Sequence, residues 1–341
     1  MKKYFKSIIK FILFTALGIL LIYLSIKNLT AAQRMEIFSS FRNANYFWIF
    51  LAILCGALSH FIRAVRWRRL LVPMGYSPKT KDMFMATMIG YFANYAIPRL
   101  GEISRCSVLY KTDKIPINKS LGTVVTERAF DLLIFVIIFF ITIFLEKERI
   151  GSYMDTNIYP QLNQKLGFLG NQYLIFFVIA FFVILFSLYI IFRKKIHKTK
   201  FFISIKNIFD GFLLGIRSLF KIKKAWLFIL ESVGIWVLYF FMTYLCFFSM
   251  QETSSLTANA GLATLVIGSI GIMVTPGGLG LYPILAQETL KLYGIGKITG
   301  LAMGWIIWTS QTIMILAFGS VALILISLHS KKQKLNAEQT A

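Results

Sequence analysis

The chain has 341 residues, of which 57% are hydrophobic and only 15% charged, with 33 phenylalanines. Soluble domains carry nearer a quarter of charged residues, so the composition excludes a soluble domain and indicates an all-α polytopic membrane protein. Lys and Arg number 37 against 14 Asp and Glu, a formal charge of +23; on such a chain this excess reads as anchoring on the cytoplasmic side and attraction to anionic lipid, with no nucleic-acid partner implied.

The first element is the apolar run to Ile26 behind "MKKYFKSIIK". Its charge order is that of a signal peptide, but no small-residue cleavage site clearly follows, so it reads as an uncleaved first helix over 8–26. Further stretches that meet or approach the ~20 residues a bilayer requires lie at 46–65, 129–145, 171–192, 226–249 and 298–328. Basic residues fall unevenly between them. Residues 62–82 and 193–224 are rich in Lys and Arg, as are the amino-terminal ten and the tail with Lys331, Lys332 and Lys334, whereas 250–258 has none. This pattern makes 1–341 a single multi-pass domain of the cell membrane with both termini cytoplasmic, and 331–341 a short basic cytoplasmic tail.

Two apolar segments do not fit six plain spans. The first, "MFMATMIGYFANYAIP" (83–98), is short, contains Asn94 and has basic residues on both sides. A re-entrant hairpin entering and leaving on the cytoplasmic side removes the conflict. The second, 257–297, must return to the outer face, and two short helices joined at Pro276, Gly277 and Gly278 would achieve that. The expected fold is therefore about six full spans plus two broken helical hairpins from opposite faces, with eight or more plain spans as the alternative. The tips would be Pro98 and Gly101 in one hairpin, and Pro276, Gly277, Gly278 and Gly280 in the other. Broken helices of this kind place backbone groups and helix ends at mid-membrane sites in transporters.

Charge appears where the apolar pattern says membrane. In "SHFIRAVRWRRLL" His60, Arg63, Arg66 and Arg69 recur every third residue and form one slowly drifting helical stripe. Arg99, Glu102 and Arg105 repeat that spacing after Pro98, and in "TERAFDL" Glu127 and Asp131 share a face four residues apart, beside Arg128. The blander readings are interfacial anchoring for Arg68 and Arg69 beside Trp67, and a helix start for Glu127 and Asp131. Taken together, carboxylates would lower the cost of burying arginines, and leftover positive charge could hold a phosphate through bidentate guanidinium contacts. The candidate substrate site is thus Arg63, Arg66, Asn94, Arg99, Glu102, Arg105, Glu127, Arg128 and Asp131, a phospholipid-headgroup site on the cytoplasmic side. Cys55, Cys106 and Cys246 are scattered, as are the three histidines, and no phosphate-binding loop occurs, so neither a metal nor a cofactor is expected.

"LSHFIRAVRWRRLL", "GYFANYAIPRLGEISR", "GTVVTERAFDLL" and "TPGGLG" occur in this order. Together they resemble the lysylphosphatidylglycerol synthase transmembrane region, the flippase-like domain family, over roughly residues 10–325. In that family the best-understood members fuse this region to a cytosolic aminoacyl transferase domain, and the membrane region moves the lipid product to the outer leaflet. The longest hydrophilic stretch here, 193–225, is far below the size of a catalytic domain, so the resemblance implies lipid translocation and argues against lysyl transfer. Arg99, Gly101, Glu102 and Arg105 match the family block after its proline, and Glu127, Arg128 and Asp131 the block that opens the next span. Where the family usually has an acid after the second set of glycines, this chain has Tyr282 and Pro283, with Glu288 too distant to assume as a substitute. The expected function is a flippase or transporter for an anionic phospholipid or lipid-linked phosphate headgroup. The alternatives are a membrane enzyme of lipid phosphate metabolism with Glu102 or Asp131 as general base, and a partner subunit of a separate synthase; a homo-oligomer is also compatible.

Overall fold

The computed structural model describes residues 29–97, 100–153 and 224–339, with positions 20, 23, 27, 155, 156 and 160 besides, and side chains as far as Leu328. Among these residues there are ten α-helices and no strand. They are α1 (Ala31–Asn43), α2 (Tyr46–Leu71), α3 (Thr80–Ala96), α4 (Leu100–Asp113), α5 (Ile117–Leu145), α6 (Lys147–Tyr153), α7 (Ala225–Phe247), α8 (Ala258–Val274), α9 (Leu281–Lys291) and α10 (Lys297–Gln339). Four are apolar and long enough to cross a bilayer: Tyr46–Met74, Ile117–Leu145, Ala225–Phe247 and Lys297–Leu328. The spans expected at 8–26 and 171–192, and most of the basic stretch 193–224, lie outside the described residues.

Local chemistry sets the helix starts. Thr30 and Gln33 form a reciprocal capping box at α1, and the Asn45 side chain accepts from the Phe47 N–H at α2. Proline sets two of the ends. A residue before proline is pushed out of the helical region into extended backbone. Ile97, before Pro98, has φ −141° and ψ 120° and ends α3; Thr275, before Pro276, has φ −118° and ψ 152° and ends α8. After Pro276 the chain needs three left-handed residues, supplied by Gly277, Gly278 and Gly280.

Each break folds its helices back on each other, α3 against α4 and α8 against α9. The hairpins open from opposite ends of the bundle. Helix α2 runs antiparallel to α7, with Arg69 beside Glu231, Arg66 beside Ser232, and Asn45 donating its N–H to the Ser249 carbonyl. The C-terminus of α2 therefore lies with the N-termini of α5 and α7, and here the α3–α4 hairpin begins and ends. The opposite end collects the C-termini of α5 and α7, the N-terminus of α10 and the open end of α8–α9. Each hairpin has its own core. Trp67, Leu71, Met83, Met88, Leu109 and Met314 surround the first, and Phe247, Tyr282, Ala286, Leu290, Met303 and Ile307 the second. Helix α10 contributes to both. Outside, Phe50 and Leu54 on α2, Phe140 and Phe144 on α5, and Ile324 and Leu328 on α10 are exposed, the apolar exterior of a membrane protein.

Three boundaries differ from those read in the sequence. Helix α5 begins at Ile117, so Glu127 and Asp131 lie inside it and are not a helix start. The polar side chains before them are accommodated inward: Ser120 and Thr123 are buried and bond the preceding turn. Helix α2 continues through the basic stretch to Leu71, because its arginines find partners on α5 and α7. Gly101, read as part of the first tip, lies in the first turn of α4, which begins at Leu100.

Candidate functional site

The charged stretches converge where α2, α4, α5 and α7 meet. Helical spacing aims Arg63 and Arg66 of α2 at the face of α5 that carries Glu127 and Asp131. Arg63 donates from Nη1 to Glu127 Oε1 at 2.8 Å and to Asp131 Oδ2, and from Nη2 to the Tyr239 hydroxyl at 3.2 Å. Arg66 donates to Ser232 Oγ at 2.8 Å, to Asp131 Oδ1 at 2.8 Å and to Glu127 Oε1 at 3.2 Å. Arg105 of α4 reaches the other Glu127 oxygen at 3.0 Å, its guanidinium 4.4 Å above the Trp67 ring. The Trp67 N–H is satisfied by Thr123 Oγ1 at 2.8 Å.

All five ionised groups are buried; Arg66 and Glu127 are fully enclosed. Burial of this kind is tolerated only with dense pairing. Three guanidinium groups face two carboxylates, so the cluster retains one positive charge. The further pair Arg128–Glu102, 3.3 Å apart, leaves that excess unchanged. Asp131 is held by two guanidiniums, a poor setting for a general base, since taking up a proton would remove the charge that both bonds rely on.

Beside the excess charge is a cavity of about 10 Å³ between Thr87, Tyr91 and Asn94 of α3, Gly101 and Arg105 of α4, and Arg128 of α5. That is room for roughly one water molecule, so a phosphate needs the surrounding helices to part. Two features bear on what this wall could hold: a helix N-terminus whose Gly101 N–H is already occupied, and an arginine nitrogen that is not. The N-terminus of α4 begins here, its Gly101 N–H capped by Asn94 Oδ1 at 2.8 Å. The buried Nε of Arg105 has no partner.

Among the described residues, the second tip does not reach the arginines. It meets the first tip instead, at the centre of the bundle. The Gly277 carbonyl accepts the Trp308 N–H at 2.8 Å, and a Cβ on Gly277 would lie 2.6 Å from the Tyr95 ring. Tyr95, one turn before the α3 break, shares a 3.2 Å hydrogen bond with Thr312 of α10. Gly278 and Gly280 shape the turn, and Tyr282 is buried in the first turn of α9 against Gly268.

Of the residues singled out in the sequence, Arg63, Arg66, Arg105, Glu127 and Asp131 form the buried cluster. Asn94, Gly101, Arg105 and Arg128 line the cavity, and Glu102 pairs with Arg128. Pro98 and Arg99 lie outside the described residues. Arg69 pairs with Glu231 at 2.6 Å, and Arg68 donates to the Pro78 carbonyl, so both tie helices together. Ser232, Tyr239, Tyr91 and Tyr95 escaped the sequence reading. Tyr91 and Tyr95 carried a signal, sitting four apart in the stretch already suspected; Ser232 and Tyr239 carried none. Among the described residues no three His, Cys, Asp or Glu side chains converge as metal ligands.

Comparison with known proteins gives a match over residues 7–319 to the family model described as the lysylphosphatidylglycerol synthase TM region. A protein of Methanocaldococcus jannaschii described as a UPF0104 membrane protein is 24% identical over 323 residues, covering 86% of this chain and 88% of that one. No solved structure matches.

Proposed function

The chain belongs to the lysylphosphatidylglycerol synthase transmembrane-region family, and from that premise we propose that it moves a lipid with an anionic, phosphate-bearing headgroup across the cell membrane. The observation that carries this reading is the uncompensated guanidinium charge beside a small cavity at membrane depth, lined by the α3–α4 hairpin and α5. A fixed positive excess in a dry interior favours an anion entering with its own charge. Arg105, the α4 N-terminus and Asn94 offer phosphate oxygens a fork, a helix end and an amide. The carboxylates keep the guanidiniums oriented until the substrate arrives. Because the tips meet at the centre, parting one hairpin exposes the cavity to one end while the other keeps the path closed, which is the requirement for alternating access. The excess of basic residues at the arginine end supports a cytoplasmic location for that end.

The test is movement of fluorescent phosphatidylglycerol by the purified chain in proteoliposomes, with Arg105→Gln alongside. The wild type is expected to equilibrate the lipid between leaflets. Arg105→Gln should slow this at least about tenfold, the scale of a lost charge-assisted hydrogen bond. A folded Arg105→Gln protein as active as wild type would remove the site from the mechanism. A folded wild type that moves neither phosphatidylglycerol nor a polyprenyl phosphate would remove the transport reading itself.

A further inference from the structure

The ion pair Arg128–Glu102 differs from the rest of the cluster in one respect: it reaches the outside. The Arg128 side chain is 44% exposed and that of Glu102 25%, whereas no other side chain of the buried cluster exceeds 12%. The surface around the pair is apolar. Ile103 follows Glu102 on α4, and Val125 and Leu132 flank Arg128 on α5; all three are exposed. Helix α5 has 29 residues, about 43 Å, and Arg128 stands roughly 17 Å from its start. With the helix centred on a hydrocarbon core of about 30 Å, the Arg128 backbone lies on the order of 10 Å below the lipid headgroups, and its side chain leans back toward them. A half-exposed arginine facing lipid chains at that depth is costly and calls for a partner.

Its partner in the protein is a weak one. The 3.3 Å contact with Glu102 is not a hydrogen bond, and the second Glu102 oxygen is buried without a partner. On its inner side the same Arg128 lines the cavity it shares with Arg105. One side chain thus lines the internal cavity and is also exposed on the outer surface. We propose that the seam between α4 and α5 is the port through which the lipid docks from the side. Arg128 receives the headgroup phosphate there, Glu102 is the anion it displaces, and the acyl chains stay in the bilayer against Ile103, Val125 and Leu132. Charge complementarity selects the occupant, a membrane lipid with an anionic phosphate headgroup. This rests on the transport reading for its purpose, but docking can be measured without transport.

The experiment places a photo-crosslinking amino acid at Ile103, at Val125 and, as a reference on the lipid-exposed surface near the other end of α5, at Ile141, which is 47% exposed. The chain is held in nanodiscs of phosphatidylcholine containing a minority of phosphatidylglycerol, and the adducts are identified by mass spectrometry. Phosphatidylglycerol is expected above its bulk share at 103 and 125, and at its bulk share at 141. Arg128→Gln should lower that enrichment about tenfold. Glu102→Gln should raise it, because the competing carboxylate is gone; a merely structural pair would not give opposite signs. Equal ratios at all three positions, no response to Arg128→Gln, or a fall with Glu102→Gln would each overturn the port. Enrichment in a chain that moves no lipid would keep the port and remove the transport reading. Transport without enrichment would do the reverse.

Discussion

Glu127 serves three guanidinium groups with two oxygens, Arg63 and Arg66 on Oε1 and Arg105 on Oε2. It joins α2, α4 and α5 in one residue and has no exposed surface. Glu127→Gln keeps the shape but leaves three buried cations with Asp131 alone, and breaking a buried pair from one side costs about 3–5 kcal/mol. A large drop in the thermal unfolding midpoint of the purified protein is therefore expected; an unchanged midpoint would show the cluster to be far wetter than its burial implies. Tyr239→Phe removes a single 3.2 Å bond to Arg63, whose other bonds remain, and should cost only about 1.5–3 kcal/mol. At this scale the sequence was informative about which residues are charged at depth, because an arginine such as Arg63 inside an apolar run is visible at once. It was silent on their polar neighbours. Ser232 lies 166 positions from Arg66, and nothing local marks it as anything but a small helix residue.

At the scale of the element, the hairpin α3–α4 depends on backbone contact. A Cβ on Gly101 would stand 2.1 Å from the Gly90 carbonyl oxygen, a backbone atom that cannot turn aside, and 2.6 Å from the Asn94 amide carbon, whose side chain would have to give up its bond to the Gly101 N–H to move. Gly101→Ala must force the two helices apart, an overpacking cost of about 1–3 kcal/mol, and should enlarge the neighbouring cavity. Gly122→Ala on α5 is the control: it meets nothing within 4 Å and should gain up to about 1 kcal/mol of helix propensity. Comparing the unfolding midpoints of the two variants checks both. The breaks themselves were legible, since Pro98 and Pro276 act on the preceding residue by a local steric rule. The start of α5 was not. Asn118, Lys119, Ser120 and Thr123 lower the hydropathy of its first turns, and only the packed structure shows that Ser120 and Thr123 face inward.

At the scale of the molecule, two hairpins from opposite ends meet at Tyr95 and Gly277, and under the proposed transport this contact is what would keep the two sides apart. Tyr95→Ala removes the ring that covers Gly277 and the bond to Thr312. In a background without the native thiols, a cysteine in place of half-buried Thr312 should then react several-fold faster with a membrane-impermeant maleimide. An unchanged rate would place the barrier elsewhere. Sequence reading foresaw a hairpin on each side, from charge parity and the two prolines. It could not foresee that the tips touch, because residues 95 and 277 are far apart in the chain and meet only in the packed bundle, where Thr312 and Trp308 of α10 bond to Tyr95 and to the Gly277 carbonyl.

The buried cluster also has an order in time. Arg63 and Arg66 leave the ribosome first, and their carboxylates follow 61 to 68 residues later. At synthesis rates of about 5–20 residues per second, the two arginines wait on the order of 3–14 s for Glu127 and Asp131. A lone arginine costs about 2.5–3.5 kcal/mol at the centre of an inserted helix and less toward its end, where Arg63 and Arg66 stand in α2. During that interval α2 settles best with its basic end at the membrane surface, and α5 completes its insertion on arrival. The nascent chain is thus a two-step assembly in which the site closes the fold, and truncation between residues 71 and 117 leaves α2 without the counter-charges that draw it in.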